Sequence, residues 1–162
     1  MNPIRVVLDT NVYIAAALNP QSIIYKIIED SAAQYLGTYF TSPEILQELQ
    51  NKLEDKFRFP RATVVRWLNR IEEAVTVVRP LQKINVLSEH DPDDNKILEC
   101  ALEAKADLII TADLDLLSLK KFNNIKIMHT STIKYLFPQL NDHKRIHTAL
   151  RMSPTAYAAS LI

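Results

Sequence analysis

Apolar side chains follow two alternating rhythms along the chain, short continuous blocks and longer stretches with helical spacing. The block at 4–8 is rich in β-branched residues and stops at the turn-forming triplet Asp9-Thr10-Asn11, which predicts a buried first strand. Residues 12–18 and 22–33 are apolar-rich and are split by Asn19-Pro20, which predicts two helices with a break between them. Residues 37–41 predict a second strand. Ser42-Pro43-Glu44 combines a capping hydroxyl, a first-position proline and a first-turn acid, so a helix is expected from here to about residue 57. Its apolar stripe is Ile45, Leu46, Leu49 and Leu53, and Glu48 lies at the margin of that stripe, within reach of a cleft rim. Another helix from near Pro60 carries Val64, Val65, Trp67, Leu68 and Ile71, and residues 76–78 predict a short strand.

The second half repeats the alternation. Asp91 is placed to cap a helix, Pro92 to take its first position and Asp94 its third. The stripe Ile97, Leu98 and Ala101 then sets Asp94 near the middle of the buried face, where a carboxylate needs a partner. Strands are predicted at 107–111 and 125–128, and short helices at 113–119 and 131–137. This order predicts an α/β fold, a three-layer sandwich around a central parallel sheet. One domain is expected over 1–140, followed by a tail over 141–162 that is helical or disordered.

Composition narrows the chemistry. With 162 residues and 48% hydrophobic content the chain can bury one sizeable core. No apolar run approaches the roughly 18 residues of a membrane span, and the N-terminus lacks a signal-type segment, so a soluble cytoplasmic protein is expected. The single glycine, Gly37, excludes a P-loop, a G-x-G-x-x-G fingerprint and a G-x-S-x-G elbow, each of which needs at least two. The single cysteine, Cys100, excludes a disulfide framework and a paired-cysteine zinc site. Function must rest on chemistry other than these motifs supply.

A net charge of zero conceals a block pattern. Residues 1–50, 51–90, 91–119 and 120–162 carry −3, +3, −6 and +6 in turn. Acidic segments flanked by basic ones suit a metal-dependent enzyme acting on a polyanion, and they equally suit an ordinary solvated surface. Lys52, Lys56, Arg58, Arg61, Arg66 and Arg70 are the candidate phosphate-backbone contacts. Tyr13, Tyr39, Phe40 and Trp67 are candidates for stacking on bases, with core packing the better explanation.

Four acids carry the chemistry: Asp9, Glu48, Asp94 and Asp113. Singly each has a structural explanation as a helix cap, a first-turn acid or a surface residue. If they converge they repel one another unless a cation neutralises them, and hard oxygen donors without histidine or thiol favour magnesium or manganese. Such an ion suits phosphoryl chemistry through activated water. A phosphatase working through a covalent aspartyl intermediate fits less well, because its D-x-D would need an acid where Asn11 stands.

Four segments carry a family resemblance: Val7-Leu8-Asp9-Thr10-Asn11-Val12, Ser42-Pro43-Glu44-Ile45-Leu46-Gln47-Glu48-Leu49, Asp91-Pro92-Asp93-Asp94-Asn95-Lys96-Ile97-Leu98 and Thr111-Ala112-Asp113-Leu114-Asp115-Leu116-Leu117. In order and spacing the chain resembles the PIN-domain ribonucleases over roughly 4–137, and within them the VapC-related toxins of bacterial toxin-antitoxin pairs. The resemblance implies an Mg2+- or Mn2+-dependent endoribonuclease of single-stranded RNA, with Asp9, Glu48, Asp94 and Asp113 as metal-binding catalytic acids. It implies supporting positions at Asn11 and Thr111, with Asp115 at most behind them. A homodimer and a small antitoxin partner follow by analogy only. A non-catalytic RNA- or partner-binding module on the same fold stays open as the alternative. Outside this stretch, 143–154 resembles the C-terminal end of some insertion-sequence transposases. His143 and His147 have the i, i+4 spacing of metal ligands but lack a third.

Overall fold

The computed structural model describes residues 3–29, 37–87 and 92–136. The residues expected to be helical at 30–33, the capping Asp91, position 137 and the tail 141–162 with its two histidines lie outside the described residues. Among the described residues six strands form one sheet: β1 (Ile4–Leu8), β2 (Gly37–Thr41), β3 (Thr76–Val77), β4 (Leu108–Thr111), β5 (Lys121–Phe122) and β6 (Ile125–His129). Their order is β3-β2-β1-β4-β6-β5, with every pairing parallel except the β5–β6 hairpin at one edge. The helices are α1 (Thr10–Leu18), α2 (Ile23–Glu29), α3 (Pro43–Asn51), α4 (Arg61–Ala74), α5 (Asn95–Glu103), α6 (Leu114–Ser118) and α7 (Ile133–Leu136). The expected α/β architecture is therefore present.

A strand at the centre of a parallel sheet is covered on both faces, so it reads as a continuous apolar run. Val6, Val7 and Leu8 of β1 and all of Leu108–Thr111 are buried accordingly. Arg5 is the polar exception in β1, and it is consumed by structure: its guanidinium donates to the Ala104 carbonyl and lies 4.4 Å from the Phe40 ring centroid, while its backbone N–H donates to Asp107 Oδ2 at 2.8 Å. Gly37 stands opposite Ile4, and a Cβ there would come within 3.1 Å of the Ile4 carbonyl oxygen. Tyr13, Tyr39, Phe40 and Trp67 all belong to the core, as does Cys100. Among the described residues no helix is long and apolar enough to cross a membrane.

The structure departs from expectation in several places. The third helix is α-helical only to Asn51 and then widens into a π-helical turn, Lys52–Lys56, closed by a hydrogen bond from the Phe57 N–H to the Lys52 carbonyl. Arg58, with φ of 57°, ends it. Periodicity near 100° per residue does not separate α from π winding over a single turn, so the change has no clear signature in sequence. Asp94 ends a 3₁₀ turn, Pro92–Asp94, ahead of α5 instead of occupying the third position of that helix. The two-residue strand β5 has too little chain to show a period.

Residues 81–87 were not expected to form any element, yet they are strapped to α5. Glu99, 6% exposed, accepts the Ile84 N–H at 2.9 Å and an Nζ–H of Lys83 at 3.2 Å. Asn95 Oδ1 accepts the N–H groups of Val86 and Leu87 at 3.1 and 3.0 Å. Two polar residues of the Asp91–Leu98 region and its continuation thus satisfy the backbone of a segment that has no ladder partner.

Candidate metal-dependent active site

Parallel strands put their carboxyl ends on one edge, and a ligand crevice opens where successive crossovers leave to opposite sides. From β1 the chain reaches β2 on one flank and β4 on the other. Leu8 pairs with Ile110, so Asp9 stands level with Thr111, and the Asp9 N–H donates to the Ile110 carbonyl at 3.0 Å. Asp113 follows two residues later. On the β2 side, Ser42 caps α3 by accepting the Ile45 N–H at 3.4 Å, and Glu48 projects from the second turn of that helix.

Asp9 is only 2% exposed. It stands at the N-cap position of α1, where the Asn11 N–H is its backbone neighbour, but the well-formed hydrogen bond of its side chain goes elsewhere. Its Oδ2 instead accepts the Thr111 Oγ1–H at 2.7 Å, and the same Thr111 oxygen accepts the Asp113 N–H at 2.9 Å. Burial pushes the Asp9 carboxyl above the ordinary aspartate range; the hydrogen bonds from Thr111 and from the Asn11 backbone oppose this, and the negative charges of Glu48 and Asp113 add to it. Asp113 does act as a cap, its Oδ1 accepting from the N–H groups of Asp115 and Leu116 at 2.8 and 3.2 Å.

Glu48 has a different environment. Its Oε1 pairs with Lys52 Nζ at 2.8 Å, and its Oε2 with Lys96 Nζ at 3.2 Å and with the Thr10 Oγ1–H at 2.5 Å. Burial alone would raise its pKa, but the hydrogen bonds from Lys52 and Thr10 and the charge of Lys96 outweigh that and hold the carboxyl below the usual range. For Lys52, burial is outweighed by Glu48, with Asp9 and Asp94 contributing, so the ammonium form is reinforced. The fields of Asp9, Asp94 and Glu48 therefore meet at Lys52, and those of Glu48 and Asp113 meet at Asp9.

Asn11 is exposed at the start of α1, and Asp115 is exposed on α6, where its N–H rather than its carboxylate contacts the site. Of the six basic residues singled out for the RNA backbone, Lys52 alone touches an acid of the cluster. Lys56, Arg58, Arg61 and Arg66 are exposed, and Arg70 pairs with Glu29 and Glu73. Arg66 and Arg70 line a separate cavity of about 300 Å³ floored by Tyr25 and Trp67, whose rings stack at 5.2 Å. Two residues of the site escaped the sequence reading, Thr10 and Lys96. Lys96 had a signal: it precedes the apolar pair Ile97-Leu98, which makes a lysine with only 17% side-chain exposure intelligible.

Among the described residues, no three His, Cys, Asp or Glu side chains stand close enough to enclose a metal ion as a protein cage. The donor chemistry nevertheless suits a hard divalent cation: only oxygens are offered, and buried Asp9 faces two further carboxylates whose repulsion a cation would relieve. Magnesium in particular keeps much of its water and takes one or two carboxylates plus substrate phosphate, so a closed cage is not the geometry it requires.

The PIN domain family model matches residues 5–115. The chain belongs to the PIN domain family. PIN domains are generally nucleases that use divalent metals. This PIN domain is 37% identical over 134 residues to the uncharacterized protein MJ1680 of Methanocaldococcus jannaschii, which spans 76% of this chain and 84% of that protein. Its fold is similar to that of PAE2754 from Pyrobaculum aerophilum, with a TM-score of 0.56 and 17% identity over 85% of this chain and 90% of the other. All four acids fall inside the matched region.

Proposed function

We propose that this PIN domain is an Mg2+- or Mn2+-dependent endoribonuclease that hydrolyses phosphodiester bonds of single-stranded RNA. The observation that carries the reading is the Asp9–Thr111–Asp113 linkage: a buried carboxylate with a raised pKa, tied through one hydroxyl to a second acid, at the crevice of the sheet. Asp9, Asp94 and Asp113 are the residues that would hold the ion, one or two of them directly and the rest through its water, with Glu48 beside them. A divalent ion there would supply Lewis acidity toward the phosphate and toward water. The chain's own part is to fix the acids: Thr111 orients Asp9, the Asp113 N–H fixes Thr111, and Lys52 and Lys96 offset the negative field that would otherwise repel an RNA strand. No nucleophilic side chain is called for, and Cys100, buried in the core, supplies none.

The test compares wild type with Asp9→Asn and Asp94→Asn for magnesium-dependent cleavage of single-stranded RNA. Both variants are expected to lose activity. Variants that cut as fast as wild type would overturn the assignment, and a wild type inert toward every single-stranded RNA supplied would favour the non-catalytic binding module. We further propose, from the resemblance to VapC-related proteins, that the protein acts as the toxin of a type II pair, as a homodimer neutralised by a small antitoxin. Growth arrest on induction of the wild type, absent for Asp9→Asn, and light scattering of the purified protein check these two points.

A further inference from the structure

We infer that Glu48 is a positioning residue for two ammonium groups and not a metal ligand, so that Lys52 and Lys96 take the place of a second cation beside a single divalent ion. The inference rests on the nuclease reading for its substrate, and on the geometry of Glu48 for everything else. A carboxylate offers about four lone-pair directions. Glu48 already receives Lys52 on Oε1, and Lys96 together with Thr10 on Oε2. The one direction left is on Oε1 beside the Lys52 ammonium, so a metal ion binding Glu48 would either sit against that like charge or displace a donor. Displacing a lysine would leave an ammonium group next to the incoming cation.

Charge points the same way. Asp9, Glu48, Asp94 and Asp113 count four negative charges when ionised, and Lys52 and Lys96 return two, so the balance matches one divalent ion. Where two metal ions are used, they stabilise the attacking and leaving oxygens of a displacement. An ammonium held beside the reacting phosphate performs the charge-stabilising half of that task without coordination. Lys52 and Lys96 are suited to it because Glu48 fixes both heads while each retains N–H donors for a phosphate. Their side chains are 36% and 17% exposed, so Lys96 is the more desolvated of the two.

Calorimetric titration of the intact protein with Mn2+ alone, without RNA, tests the inference. Wild type should bind one ion per chain. The double variant Glu48→Gln/Lys96→Gln keeps the local charge balance, so its Mn2+ affinity should stay close to wild type, while Asp9→Asn should weaken it about tenfold or more. The pair Glu48→Gln/Lys52→Gln serves as a second version of the same control. Two ions per chain, or a charge-balanced double variant as weak as Asp9→Asn, would overturn the inference.

The second arm measures binding of a single-stranded oligonucleotide to the Asp9→Asn protein as a function of salt. Adding Lys96→Gln should reduce the slope of log affinity against log salt by about 0.7, the share of one single-strand phosphate contact, and Lys96→Arg should restore it. An unchanged slope would also overturn the inference. Failure of the nuclease reading is separable: a wild type that takes up one Mn2+ and cuts no RNA removes that reading and leaves the role of Glu48 standing.

Discussion

Thr111 ties Asp9 to the next strand end through a single oxygen, donating to Asp9 Oδ2 at 2.7 Å while accepting the Asp113 N–H at 2.9 Å. Replacing it by valine keeps the shape and removes both bonds. Thr111→Val should therefore lower stability by about 1–3 kcal/mol, because a buried carboxylate and a backbone N–H each lose a partner. The same change should reduce metal affinity or activity by about 10–100-fold. Urea denaturation and Mn2+ titration measure the two effects, and Thr111→Ser should recover most of both. Wild-type metal affinity in the valine variant would contradict the proposed site.

Asp9 also predicts how stability varies with pH. Its carboxyl is raised above the ordinary value of 3.8 in the folded protein. The folded state therefore binds the proton more tightly than the unfolded chain does. Its contribution is most favourable below 3.8 and is lost as pH rises through the folded value. Ionising Asp9 beside Glu48 and Asp113 brings like charges together, a repulsion that a bound divalent ion would relieve. Thermal melts should show a stabilisation by Mg2+ or Mn2+ that is largest near neutrality and fades on acidification, when the carboxyls take up protons. A stabilisation independent of pH, or equal in Asp9→Asn, would count against Asp9 as a ligand.

The strap over residues 81–87 depends on Glu99. Glu99→Ala removes the acceptor for the Ile84 N–H and the partner of Lys83, and should cost about 1–3 kcal/mol. Hydrogen exchange should accelerate first at 84–87 while the amides of β1 and β4 keep their protection. Uniform acceleration across the sheet would mean the strap is not a separate unit.

Cys100 is fully buried in α5, and burial pushes its thiol up to about 12. Thiol reagents attack the thiolate. Native protein at pH 8 should therefore resist alkylation and become reactive only on unfolding, with the labelling rate following denaturant. Rapid labelling of the native protein, followed by mass spectrometry, would contradict this placement.

Much of this arrangement is written into local patterns. The apolar runs of β1, interrupted only by Arg5, and of β4, with the Ser42-Pro43 helix start, each follow from nearest-neighbour physics; they set Asp9 and Asp113 just past strand ends and Glu48 in the second turn of a helix. What escaped was decided by contacts distant in sequence. Thr10 meets Glu48 across 38 positions, and Lys96 reaches the same carboxylate from another helix. No spacing rule encodes either meeting. The π-helical turn at Lys52–Lys56 was hidden for a different reason, since one extra residue in a turn barely disturbs the apolar period. Arg66 and Arg70 were grouped with Lys52 because charge along a chain does not reveal direction, and the fold sends them to a different cavity.

The strap has one further bearing, on how such chains are recognised. Asn95 and Glu99 hold a loop in place, although they sit within or just beyond a stretch that reads as catalytic. A descendant that lost Asp94 but retained these two would keep its architecture and much of its diagnostic signature while lacking one of the acids proposed to hold the ion. Resemblance along this helix therefore reports inheritance of a scaffold, and competence must be judged from the acids alone.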